Sequence, residues 1–119
     1  MKIAMPTKQE HICKNFSGSE EFTIYDVEIE LVQSKEILPI PPEKSLSDFL
    51  FSQDVNVIIC KNISGDEKSA LRAKRMEFIW GVEGTADEVL IRFLSGERLG
   101  RGETEPSTAS MPLKQVFPI

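Results

Sequence analysis

Cysteine is scarce in this chain. Its 119 residues hold two, Cys13 and Cys60, and neither belongs to a CxxC pair. The sequence therefore offers no disulfide framework, and the simplest reading is a cytoplasmic protein with two free thiols. His11 is the single histidine and Trp80 the single tryptophan. No stretch approaches the length of apolar sequence that spans a bilayer, and MKIAMPT at the start lacks the apolar run of a signal peptide. Positive charge is also short: 14 Lys and Arg face 19 Asp and Glu, for a net charge of −5. That balance excludes a nucleic-acid partner held by phosphate contacts and a polybasic membrane surface. Catalytic signatures are missing too, with no Gly-x-Ser-x-Gly, no Walker loop and no HExxH.

With 40% hydrophobic residues, the chain buries a core without staples, and its length suits one domain. Lys2–Pro6 reads as a short strand ended by Pro6. A long loop is expected from Thr7 to about Ser19, holding His11, Cys13 and the turn-prone Ser17-Gly18-Ser19. Phe22–Val27 reads as a second strand and Leu31–Leu38 as a third. The turn joining these two has no Gly, Asn or Pro to mark it. Pro39, Pro41 and Pro42 then interrupt regular structure.

The remainder alternates between strand and helix. Ser45-Leu46-Ser47-Asp48 resembles a capping box, with Leu46, Phe49 and Leu50 at helical spacing. Val55–Cys60 is apolar apart from Asn56, as a strand covered on both faces should be. Ser64-Gly65-Asp66-Glu67 opens a second helix to about Met76, and Glu77–Gly81 is a further strand. Thr85-Ala86-Asp87-Glu88 opens a third helix that shows Ala86, Leu90, Phe93 and Leu94 on one face and stops at Gly96.

The order β-β-β-α-β-α-β-α predicts a three-layer α/β domain around a mixed sheet, with Val55–Cys60 parallel and adjacent to Lys2–Pro6. Ligands of open α/β sheets bind outside the carboxyl ends of the parallel strands. Three loops are expected there: Thr7–Ser19, Cys60–Ile63 and Gly81–Gly84. Two lead into capped helix N-termini, which favour anions. His11, Cys13 and Cys60 fall in or beside these loops, so the soft ligands of the chain gather at the edge suited to an anionic, soft group.

Two stretches carry a family resemblance. One is MKIAMPT followed by NFSGSEEFTIYDVE; the other is VNVIICKNISGDEKSAL with FIWGVEGTADEVLIRFLSGE. Together they resemble the dinitrogenase iron–molybdenum cofactor biosynthesis family over about Met1–Gly96. The resemblance implies a ribonuclease-H-like fold of five strands and three helices with the first strand central. It also implies an iron–sulfur or iron–molybdenum cluster precursor as cofactor, and a metallocluster donor or acceptor protein as partner. Loop position and the resemblance together give Cys13, Asn15, Phe16, Cys60, Lys61, Gly81, Gly84 and Thr85 as candidate cofactor-binding residues, with Cys13, Cys60 and His11 as candidate metal ligands from their place in the loops. The family pattern His-Phe-Gly-Arg stands here as Asn15-Phe16-Ser17-Gly18, and its Gly-Gly-Ile-Gly run as Lys61-Asn62-Ile63-Ser64. Its Gly-x-Glu-Gly-Thr turn is kept as Gly81-Val82-Glu83-Gly84-Thr85. Asn is a poor iron ligand beside imidazole, and lost glycines deny close backbone approach to a bulky ligand.

Plainer readings stand beside these. Cys60 ends a buried strand, where a lone Cys is most often a small core residue. Cys13 lies beside Lys14, which would lower its pKa. A ribonuclease-H-like nuclease needs an Asp on the first strand, and MKIAMPT has none. A non-catalytic carrier or accessory protein is therefore expected. The alternative is a protein-interaction or small-ligand module that keeps the fold without the cluster. Residues 97–119 read as a linker followed by an apolar tail. Met111–Ile119 is expected to pack on a sheet edge, of its own domain or of a second copy to give a homodimer.

Overall fold

The computed structural model describes residues 1–29 and 31–103. Among these, seven strands form one mixed sheet: β1 (Lys2–Lys8), β2 (His11–Ile12), β3 (Glu21–Glu28), β4 (Leu31–Pro39), β5 (Val57–Ile59), β6 (Glu77–Trp80) and β7 (Arg101–Glu103). The helices are α1 (Leu46–Ser52), α2 (Gly65–Ala73) and α3 (Ala86–Leu94). None of them is long and apolar enough to cross a membrane. The strand order is β4-β3-β1-β5-β6-β7, with β2 paired to β1. The first strand is thus central, antiparallel to β3 and parallel to β5 through Ile3↔Val57 and Ala4↔Ile58.

Seven strands replace the five expected, and the two additions are the short β2 and β7. Nor does Pro6 end β1. Its carbonyl accepts the Cys13 N–H at 2.8 Å, so its main-chain polar groups face away from β3. On that side β5 has already stopped pairing, and the donor that proline lacks is not needed. The strand runs on to Lys8 and turns tightly through Gln9 and Glu10, both at positive φ (51° and 69°). His11 and Ile12 then pair back onto Lys8 and Thr7. A two-residue hairpin thereby occupies the start of the expected loop. Its turn residues are not the Asn or Gly such turns favour, which is why the pattern was silent. Where β3 meets β4, Glu28 stands opposite Leu31, and Ile29 is at φ 51°.

Each face of the sheet has its own core. On one, α1 and α2 cover Ala4, Phe22, Ile24, Ile58 and Phe78, with Phe16, Phe49, Leu50, Cys60 and Leu71 packed among them. On the other, α3 lays Ala86, Val89 and Leu90 over Ile3, Met5, Tyr25, Val27, Val57 and Ile59. The helices start where capping chemistry places them. Ser45, Ser64 and Thr85 are the N-caps, and at Ser64 both bonds of the capping box form with Glu67. Past α3 the chain turns at Gly96, buries Leu99 and adds β7 to β6, so part of the stretch read as linker is strand. The tail expectation for Met111–Ile119 lies outside the described residues.

Candidate functional site

The loops after β2, β5 and β6 meet at the carboxyl edge of the parallel strands, joined by main-chain hydrogen bonds. Phe16 donates its N–H to the Asn62 carbonyl (2.8 Å), and Asn62 donates its N–H and its side-chain Nδ2 to the Lys14 carbonyl (3.1 and 2.9 Å). This links the Asn15 loop to the Lys61 loop as an isolated parallel bridge. Gly81 donates to the Lys61 carbonyl (2.8 Å) and Val82 to that of Cys60 (3.1 Å). Ile12 donates to the Gly84 carbonyl (2.9 Å), while His11 bridges Thr85. Lys61 Nζ meets the Glu83 carboxylate at 2.6 Å, and the pairing lowers the Glu83 pKa. Gly81 and Gly84 sit at φ 84° and 121°, where only glycine is unstrained, so the turn kept from the family pattern is held by backbone conformation.

The expected ligands occupy unlike surroundings. Cys60 is fully buried in the core under α1 and α2, and burial pushes its thiol up to about 12. Cys13 is half-buried beside a hollow of about 90 Å³ lined by Thr7, Lys8 and Gly18–Glu21. Burial and the Glu21 carboxylate raise its pKa. Lys8, not Lys14, is the cation that opposes this, so the lowering expected from Lys14 is not found. His11 is exposed, with Nδ1 at 3.1 Å from the Gln9 carbonyl oxygen. Among the described residues no three His, Cys, Asp or Glu side chains gather as a metal-binding group. Asn15 is exposed, whereas Phe16 is buried edge-on to Phe22, ring centroids 5.8 Å apart.

The helix N-termini at this edge are largely self-satisfied. At α2 the Ser64 N–H goes to the Glu67 carboxylate and the Glu67 N–H to Ser64 Oγ. At α3 the Glu88 N–H goes to Thr85 Oγ1, and the Ala86 N–H to the Glu10 carbonyl at 2.8 Å. The positive-φ turn of the β1–β2 hairpin is what brings the Glu10 carbonyl there, a role no sequence signal announced. Both first turns also carry acids, Asp66 and Glu67 in α2, Asp87 and Glu88 in α3. Their charge complements the helix dipole and competes with any external anion. Beside the junction, a hollow of about 260 Å³ lies over Phe16, lined by Ser45, Leu46, Ser47, Asp66, Glu67 and Ala70.

A mixed sheet with its first strand central, two helices on one face and one on the other, and three loops joined at the carboxyl edge defines a three-layer α/β scaffold. This chain belongs to the dinitrogenase iron–molybdenum cofactor family, which it matches over residues 1–96. Solved structures share the fold. A candidate dinitrogenase from Methanocaldococcus jannaschii is 28% identical with TM-score 0.70, the match covering 85% of this chain and 93% of that one. A candidate NifB protein from Thermotoga is 23% identical with TM-score 0.67, covering 84% and 91%. The apo form of the orange protein from Desulfovibrio gigas is 16% identical with TM-score 0.68, covering 87% and 96%. No curated protein matches the chain significantly.

Proposed function

We propose that this chain is a non-catalytic accessory protein in the handling of the iron–molybdenum cofactor, acting by docking to a metallocluster donor or acceptor protein in the cytoplasm. Family membership supports the process. The observation that carries the mode of action is the state of the thiols: Cys60 is sealed in the core and its pKa lies near 12. A thiolate is the species that binds iron, and neither thiol is favoured to ionise. The acids in the first turns of α2 and α3 further oppose an anionic cluster at this edge. The central first strand supports a ribonuclease-H-like label for the scaffold.

A second reading, that the chain itself carries an iron–sulfur or iron–molybdenum cluster precursor as cargo, is favoured by the convergence of the three loops. His11, Cys13 and Cys60 would then ligate, with Asn15, Phe16, Lys61, Gly81, Gly84 and Thr85 lining the cargo. Anaerobic cluster reconstitution separates the two. Docking alone leaves the protein colourless, and Cys13→Ser and Cys60→Ser behave as the parent. Charge-transfer absorption that either substitution abolishes would establish the carrier.

A further inference from the structure

We propose that the groove between the end of α3 and β7 is the docking site for the segment Met111–Ile119 of the same chain. The groove, about 550 Å³, is lined by Ile79, Phe93 and residues 96–102. Ile79 and Phe93 pack on the aliphatic core yet stay partly exposed. Ile79 is left uncovered on this side because the residue opposite it is a glycine. Gly102 stands opposite Ile79 in the ladder, on the face that α3 covers. Gly100, at φ 42°, lies so close to β6 that a Cβ there would collide with the Trp80 carbonyl oxygen. The backbone at Gly100–Gly102 thus lies close against β6, leaving a trough in which Ile79, Phe93 and Leu99 form an apolar floor beneath a polar rim. Arg98 and Arg101 border it, and neither makes an ion pair among the described residues.

The occupant follows from reach and composition. The described chain stops at Glu103, at the edge of this groove, and seven residues, 104–110, separate it from Met111. Met111, Leu113, Val116, Phe117 and Ile119 supply apolar side chains suited to the trough, and Glu105 in the connection is complementary to the bordering arginines. Seven residues span at most roughly 25 Å. Doubling back onto the groove needs only part of that length. The other exposed apolar edge, β4 with Leu31, Val32 and Ile37, lies five strand spacings away, roughly 24 Å at usual sheet geometry. Reaching it would stretch the connection fully, with nothing left for rounding the helices.

The test uses the full chain. Nuclear Overhauser contacts are expected between the Phe117 ring and the Ile79 methyls or the Phe93 ring. Phe117→Ser should remove them and speed amide exchange over residues 97–103 by roughly tenfold, through loss of local protection. Unchanged exchange in β1 and β5 would verify that the variant leaves the domain folded. Equal exchange over 97–103 in parent and variant would overturn the proposal. So would Phe117 contacts to Leu31, Val32 or Ile37, or protection that appears only as protein concentration rises, which would assign the groove to a second copy.

Discussion

The two faces of the sheet are covered by different means. Under α1 and α2 the contacts are aromatic: Phe16 on Phe22, Phe22 on Phe49, Phe78 on Trp80, with ring centroids 5.8, 6.4 and 5.9 Å apart. The opposite face is aliphatic, has a single helix, and is fastened at its margins by directed polar contacts. Asp87 at the start of α3 takes a hydrogen bond from Tyr25 on β3 and an ion pair from Lys35 on β4. The Glu10 carbonyl closes the same helix end from the β1–β2 hairpin. Broad burial tolerates small shifts of a helix, whereas three point contacts position one helix end closely. The loop edge draws on both faces: Phe16 and Cys60 belong to the aromatic core, Ile12, Val82 and Ala86 to the aliphatic one.

If burial carries the aromatic face, Phe16→Ala should produce the largest single loss, about 3–5 kcal/mol in urea unfolding. Its side chain is fully buried, and its N–H closes the bridge to Asn62, so amide exchange at Asn62 and Lys14 should quicken as well. A loss below about 1 kcal/mol would mean that the loop lies on this face without being held by it. Gly100→Ala comes next, on the aliphatic side. It forces a side chain into positive φ against the Trp80 carbonyl, and about 1–3 kcal/mol is expected, with β7 detaching first.

The cysteines sharpen the contrast at smaller scale. Cys60→Ser places a hydroxyl in the aromatic core and should cost about 1–3 kcal/mol if it finds no partner. Cys13→Ser, half-buried and outside both cores, should change stability by less than about 0.5 kcal/mol. With its pKa at about 12, Cys60 should resist alkylation in the folded protein at neutral pH, while Cys13 reacts slowly. Equal alkylation rates would refute the burial assigned to Cys60.

These contrasts also explain what the sequence revealed. Capping boxes at Ser64 and Thr85, and the apolar run through Val57–Ile59, are local signals, and the helices and the parallel core of the sheet followed from them. The β1–β2 hairpin was hidden because Gln9 and Glu10 hold positive φ without turn chemistry; the contact between the Glu10 carbonyl and the Ala86 N–H that fixes them is tertiary. β7 was hidden for a similar reason. Arg101-Gly102-Glu103 has no strand signature and pairs because Gly100 admits it to β6. At the candidate site the meeting of the loops followed from strand polarity. The closure of the α3 N-terminus by the Glu10 carbonyl, and the raised pKa of Cys13 beside Glu21, depend on tertiary neighbours that no local pattern marks.

The polar latch is the contact whose effect should depend on pH. Tyr25 is buried and donates its hydroxyl to Asp87 at 2.5 Å, while Lys35 Nζ reaches the same carboxylate at 3.0 Å. Burial, then the Asp87 contact, raises the Tyr25 pKa; the Tyr25 hydrogen bond, then Lys35, lowers that of Asp87. A depressed carboxylate contributes stability above its unfolded pKa, about 3.9, and loses it as pH falls through the lower folded value. A raised phenol contributes below its unfolded pKa, about 10, and loses it as pH rises through the higher folded value. Tyr25→Phe should therefore cost about 1 kcal/mol near neutral pH. The gap from the parent should narrow as acid protonates Asp87. Lys35→Met, removing a largely solvated partner, should cost less than about 0.5 kcal/mol. Urea unfolding of both variants across the acid range measures this directly. A Tyr25→Phe deficit that stays constant from neutral to strongly acidic solution would show that the tyrosine acts on this face by packing alone. The aliphatic face would then be held by burial, as its aromatic counterpart is.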